Sequence, residues 1–137
     1  MTDTELERLI FEEPPPIVEF HPNAIYSRQG DCIEFLISNE SFRAERLDHL
    51  VTVYYGRESR DVVGSLIKGV SSFIAEMIQR NPGFRIDIEG GRVKLSHLFT
   101  ARIWKSEVDP EGTKTLVYLR QAAETEDVQV ELDMACA

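Results

Sequence analysis

The chain has 137 residues, 42% of them apolar, and a formal net charge of −9. That length suits one domain that buries a core without disulfide or metal staples. No run approaches the roughly 20 apolar residues of a membrane span, and the chain lacks the lysine- and arginine-rich stripe on which nucleic-acid binding runs.

The charge is unevenly placed. Residues 1–20 carry six acids and one base, and residues 121–137 carry five acids and no base. The 13 acids and 14 bases of residues 21–120 nearly cancel. Acidic ends keep a protein soluble; they can also cover a basic surface, for which Arg43, Arg46, Arg57, Arg60 and Lys68 are the candidates. The opening Met1-Thr2-Asp3-Thr4-Glu5 lacks the basic-then-apolar layout of a signal peptide, so a cytoplasmic location is expected. The two cysteines, Cys32 and Cys136, have neither CxxC nor zinc-type spacing. Cys32 lies in an apolar run and reads as a small buried hydrophobe.

In chain order, Leu6, Leu9 and Ile10 recur at helical spacing and predict a short N-terminal helix. Pro14-Pro15-Pro16 ends it and reads as a stiff linker. This divides the chain into an acidic leader, 1–16, and a single domain, 17–137. Residues 17–30 read as irregular with one short strand. Ile33, Phe35 and Ile37 alternate on one face of a strand at 32–37. Residues 50–55 (LVTVYY) form a β-branched and aromatic strand, 56–61 a polar turn, and 62–68 its partner strand. Phe73 with Met77, and Ile74 with Ile78, mark one apolar helix face over 71–80. A serine caps that helix, and Asn81-Pro82-Gly83 stops it.

Gly90-Gly91 suits a two-residue hairpin loop. Folding there sets Glu89 against Arg92, Ile88 against Val93, Asp87 against Lys94, and Ile86 against Leu95. Acid meets base and apolar meets apolar at every pair. Residues 101–104 extend as strand or helix, 109–112 read as a proline–glycine turn, and 116–119 and 128–132 as closing strands. The prediction is an α+β fold: a mostly antiparallel sheet of about seven strands built from hairpins, with one central amphipathic helix and an N-terminal helix.

The stretch from Leu50 to Phe73 is similar to a family of short bacterial β-hairpin domains of unknown function. The likeness lies in Val51-Thr52-Val53-Tyr54, the turn Arg57-Glu58-Ser59-Arg60-Asp61, and Val62-Val63-Gly64-Ser65-Leu66-Ile67. The family's turn is richer in Asp and Gly, and an acid often stands where this chain has Lys68. The resemblance implies a hairpin fold and no chemistry.

No catalytic constellation is legible. Of the three histidines, His21 precedes a proline, His49 opens a strand beside Asp48, and His97 continues the apolar face of Val93 and Leu95. Adjacent strand residues point to opposite faces, so Asp48 is not expected to orient His49. Neither cysteine has a basic neighbour to activate it. There is no G-x-S-x-G elbow, Walker loop or dinucleotide fingerprint. What remains is Tyr54 and Tyr55 beside Arg57 and Arg60, and Trp104 between Arg102 and Lys105, combinations that can grip an anion or an acidic partner. The reading is a non-catalytic interaction or regulatory module, a homodimer or a protein with another protein partner, with no cofactor, metal, nucleic acid or membrane. The alternative is a small-ligand binder or minor enzyme with a β-walled pocket near Tyr54, Arg57 and His49, to which His97 could also contribute.

Overall fold

Period-two alternation builds the main sheet. The computed structural model describes residues 20–80, 91–104 and 109–132. Five strands form one antiparallel sheet: β1 (Asn23–Ser27), β2 (Cys32–Leu36), β3 (Phe42–Arg46), β4 (Val51–Gly56) and β5 (Val62–Lys68). Their spatial order is β1-β2-β5-β4-β3, so β5 returns to lie between β2 and β4 in the Greek-key manner. The helices are α1 (Val70–Arg80), α2 (Leu95–Trp104) and α3 (Pro110–Thr125). A two-stranded ribbon, β6 (Arg92–Lys94) with β7 (Gln129–Glu131), completes the described fold.

The expected strands at 32–37, 50–55, 62–68 and 128–132 correspond to β2, β4, β5 and β7. The expected central helix is α1, with Phe73, Ile74 and Met77 buried. Its N-terminal acceptor comes from elsewhere in the chain. Asp31, in the β1–β2 turn, takes the Ser71 N–H at 3.1 Å and the Ser71 hydroxyl at 2.7 Å. The Asp31 carbonyl takes the Val70 N–H.

Four expectations are corrected. Leu95 does not extend a hairpin strand; it begins α2, where Leu95, Leu98, Phe99 and Arg102 are buried at helical spacing. His97 therefore stands on a helix, and residues 101–104 take the helical one of their two expected forms. Residues 109–112 are a helix start and not a turn. Asp109 accepts the Gly112 N–H at 2.8 Å, and Pro110 takes the first helical position, where its missing N–H costs nothing. Residues 116–119 are accordingly helical, and Leu116, Leu119 and Ala123 form the buried stripe of α3. Cys32 is half-buried rather than fully so, opposite Lys68. The N-terminal helix, the proline tract, residues 81–83, the 86–89 arm of the Gly90-Gly91 hairpin and Cys136 lie outside the described residues. Gly91 does hold the left-handed conformation (φ 74°). β6 pairs with β7, setting Arg92 opposite Glu131 and Val93 opposite Val130.

Strand alternation gives the sheet an inner face of Ile33, Phe35, Val51, Val53 and Ile67. These residues share one core with the buried stripes of all three helices and with Val93 and Val130. Phe35 and Phe99 meet across it with ring centroids 6.1 Å apart.

The charged tie across this core is Asp48–Arg102. Asp48 follows β3, and its Oδ1 accepts the N–H groups of Leu50 (2.8 Å) and Val51 (2.7 Å), closing the turn into β4. Its Oδ2 accepts Nε and Nη2 of Arg102 at 2.9 and 2.7 Å. Both side chains are only 10% exposed. One carboxylate thus closes a turn and anchors the last turn of α2 to the sheet. Its chain neighbour is exposed His49, so Asp48 serves the fold through a residue 54 positions away.

Two adjacent residues of β5 show how tightly the sheet is packed. A Cβ at Gly64 would run into the Phe35 carbonyl oxygen and lie 3.1 Å from the Tyr54 ring. Next to it, the Ser65 hydroxyl is fully buried with no hydrogen-bond partner among the described residues.

Removing one member of a buried ion pair strands the other charge. Asp48→Ala should lower the unfolding free energy by about 3 kcal/mol or more, and Asp48→Leu with Arg102→Met by clearly less, as read by urea denaturation. Gly64→Ala should cost about 2 kcal/mol through overpacking. Ser65→Ala should leave stability unchanged or raise it by up to about 1 kcal/mol, because it removes an unpaired hydroxyl.

Candidate functional site

The residues singled out for recognition fall in three separate regions. Tyr54 and Tyr55 are neighbours in β4 and point to opposite faces of the sheet. Tyr54 is buried on the outer face. It stacks on Phe42 at 4.0 Å between centroids, and its hydroxyl donates to Glu34 Oε2 at 2.8 Å. Burial first, and then the Glu34 carboxylate, push its phenol pKa well above the ordinary value. Tyr54 is thus a fixed part of the sheet. Tyr55 lies under Arg43, whose guanidinium carbon is 5.1 Å from the ring centroid.

Arg57 and Arg60 stand on the β4–β5 turn, and Glu40 organises that turn. Glu40 Oε1 accepts the N–H groups of Glu58 (2.9 Å) and Ser59 (2.7 Å), while Oε2 accepts the Ser59 hydroxyl at 2.8 Å. The Ser59 bonds, its N–H foremost, hold the Glu40 carboxyl below its usual range. Arg57 Nε donates to the Phe42 carbonyl at 3.3 Å, and Arg60 takes a left-handed conformation (φ 64°). Both side chains are exposed. His49 lies at the opposite end of β4, in the β3–β4 turn.

His97, in the first turn of α2, lines a cavity of about 380 Å³ with Lys94, Ser96, Thr100, Glu124 and Asp127. A second cavity of about 280 Å³ lies between α3 and the start of β1, beside Tyr118 and Pro22. Trp104 ends α2 and is 82% exposed. No group of three or more His, Cys, Asp or Glu side chains among the described residues is placed to hold a metal ion. No helix among them is long and apolar enough to cross a membrane.

The residues between Glu40 and Asp48 carry a feature that apolar periodicity misses. β3 (FRAER) is almost wholly exposed, yet it is an ordered strand at the sheet's edge. Its register sets Arg43 opposite Tyr55, Ala44 opposite Tyr54, and Glu45 opposite Val53. The Arg57 N–H donates to the Ser41 carbonyl, and the Leu47 N–H to the Val51 carbonyl. Antiparallel strands direct alternate residues toward the partner, so 41, 43, 45 and 47 bond to β4. The backbone groups of Phe42, Ala44 and Arg46 point the other way. Among the described residues their only partner is Arg57 Nε, on the Phe42 carbonyl. Glu40 and Asp48 fix the turns at the two ends of this edge.

Nothing matches the chain among family models, curated proteins or solved structures.

Two buried or part-buried carboxylates give a pH signature. Burial alone would raise the Asp48 pKa, but the Val51 N–H, Arg102 and the Leu50 N–H outweigh it and hold the value below 3.8. Burial likewise opposes ionisation of Asp31, and the Ser71 hydroxyl, the Tyr26 hydroxyl and the Ser71 N–H overcome it. A pKa depressed on folding stabilises the protein above the unfolded value and ceases to do so as pH falls through the folded value. Urea midpoints should therefore be level well above pH 3.8 and fall below it. Asp31→Asn and Asp48→Asn should each start lower and fall less steeply.

Proposed function

We propose that this protein is a non-catalytic interaction module that binds a protein strand along the edge of β3, which no other described strand covers. The observation that carries this reading is the outward row of backbone N–H and C=O groups at Phe42, Ala44 and Arg46. Such a row is a template for an added strand, which supplies main-chain hydrogen bonds while side chains on both faces set specificity. Arg43 and Glu45 flank the edge on the inner face, with Phe42 and Arg46 on the outer. An extended segment with both acidic and basic residues, and an apolar contact for Phe42, fits that surface.

The edge is tied down at both ends and has no apolar anchor of its own beyond Phe42. Glu40 ties the residues before β3 to the β4–β5 turn, and Asp48 ties the residues after it to β4 and α2. A strand held at both ends loses little further backbone freedom on pairing, and such pre-organisation favours binding. The histidines His49 and His97 stand on different elements of the fold.

Ala44→Pro tests this reading. The Ala44 N–H points away from β4, so proline removes the outward donor and leaves the internal ladder intact. The variant should melt within about 5 °C of wild type, the shift that about 1 kcal/mol produces. It should also lose any complex or self-association that gel filtration with light scattering detects for the wild type. A variant that retains every association of the wild type would refute the edge as the binding surface.

A further inference from the structure

We infer that the strand received by the β3 edge is β3 of a second copy, paired antiparallel about a twofold axis through Ala44. This rests on the edge being an interaction surface and goes further by naming its occupant.

Charge register carries the assignment. Arg43 and Glu45 are two residues apart on the same face, 62% and 58% exposed, with Ala44 between them. In an isologous antiparallel pair the residue on the axis meets itself, and each residue before it meets its mirror position after it. With Ala44 on the axis, Arg43 of each copy faces Glu45 of the other. Ala44 then faces Ala44, and Phe42 faces Arg46. The hydrogen-bonding pattern agrees with this choice. Phe42, Ala44 and Arg46 carry the outward backbone groups, so 44/44 and 42/46 become hydrogen-bonded pairs. The 43/45 pairs fall at non-hydrogen-bonded positions, where side chains lie closest. Arg57 Nε occupies one acceptor site on the Phe42 carbonyl and leaves that oxygen a second lone pair.

Neighbouring registers fail on charge. An axis at Arg43 sets two arginines face to face, and an axis at Glu45 sets two glutamates face to face. Charged residues on an edge strand ordinarily discourage pairing. Here they discourage every neighbouring register and favour one, which is how specificity arises from repulsion as well as attraction. The intrastrand Arg43–Glu45 contact of 3.2 Å is an exposed ion pair, and the two broken on pairing, one per copy, are replaced by two contacts across the axis. Arg46 gains the exposed side of Phe42, an aromatic face suited to a guanidinium.

The test uses the full chain and charge reversal, with mass in solution read by sedimentation equilibrium. Wild type should form a dimer. Arg43→Glu makes the strand doubly acidic and Glu45→Arg makes it doubly basic. Each alone should weaken the dimer at least about tenfold, because two attractive pairs become repulsive. The double variant R43E/E45R should dimerise again. An equimolar mixture of the two single variants should form a heterodimer, since positions 43 and 45 are then both acidic in one copy and both basic in the other, and acid meets base at each crossing of the axis. That recovery also shows that both single variants fold. If wild type dimerises and the single variants dimerise as well as it does, the Ala44 register is overturned. If wild type is monomeric at every concentration while Ala44→Pro still abolishes binding to another protein, self-pairing is overturned and the interaction reading stands. If wild type is monomeric and Ala44→Pro alters no association, both fall.

Discussion

The Asp48 carboxylate is the constraint on which the arrangement depends. One oxygen closes the turn that begins β4, and the other receives the guanidinium of Arg102 from the end of α2. Apart from the Asp31 cap on α1, the sheet otherwise meets the helical layer through apolar contact, which is strong but non-directional. A buried ion pair is a poor source of net stability, since desolvation consumes much of the attraction. Its contribution here is geometric: it fixes where α2 ends against the turn that positions β3 and β4. Glu40 does related work at the other end of β3, where its two oxygens satisfy the backbone and hydroxyl of the β4–β5 turn. β3 is therefore an edge strand fixed by carboxylates at both ends. That explains how a sequence as polar as Phe-Arg-Ala-Glu-Arg remains an ordered strand.

What can be read from the sequence follows the same division between apolar and polar forces. The β4–β5 hairpin is legible because β-branched and aromatic residues alternate with a polar turn between them, and α1 because its apolar stripe repeats at helical spacing. α2 is not, because Val93, Leu95, His97 and Phe99 also satisfy a strand alternation, and the fourth member of the true helical face is Arg102. A charged residue at a buried position looks like a surface residue until its partner is known, and Asp48 lies 54 positions away. α3 is obscured by the short run Leu116–Leu119, which suits a strand or a buried helix equally. The stronger signal is Asp109-Pro110, a cap followed by the residue best suited to a first helical position.

The candidate site is legible only in part. Tyr54, Tyr55 and the arginines of the turn belong to the same region as the β3 edge, but their structural duties separate them. Tyr54 is committed to Phe42 and Glu34, and Arg57 supports the Phe42 carbonyl. The edge itself leaves no apolar periodicity to find. Its signature is a backbone row, visible once the ladder between β3 and β4 assigns alternate residues to the inside and the outside. Self-complementarity of Arg43 and Glu45 about Ala44 has meaning only in that frame.

The most direct measurement is amide hydrogen exchange at single-residue resolution across β3, followed as a function of protein concentration. The N–H groups of Arg43 and Glu45 face β4 and should be protected at every dilution. Those of Phe42, Ala44 and Arg46 should exchange rapidly when the protein is dilute and become protected as it is concentrated. Alternating protection that appears only with concentration is what an edge paired across a twofold axis must show. Protection of Ala44 that does not change with dilution would mean that the edge is already covered within one chain. Rapid exchange at every concentration would mean that no second copy pairs there, and either result would contradict this account.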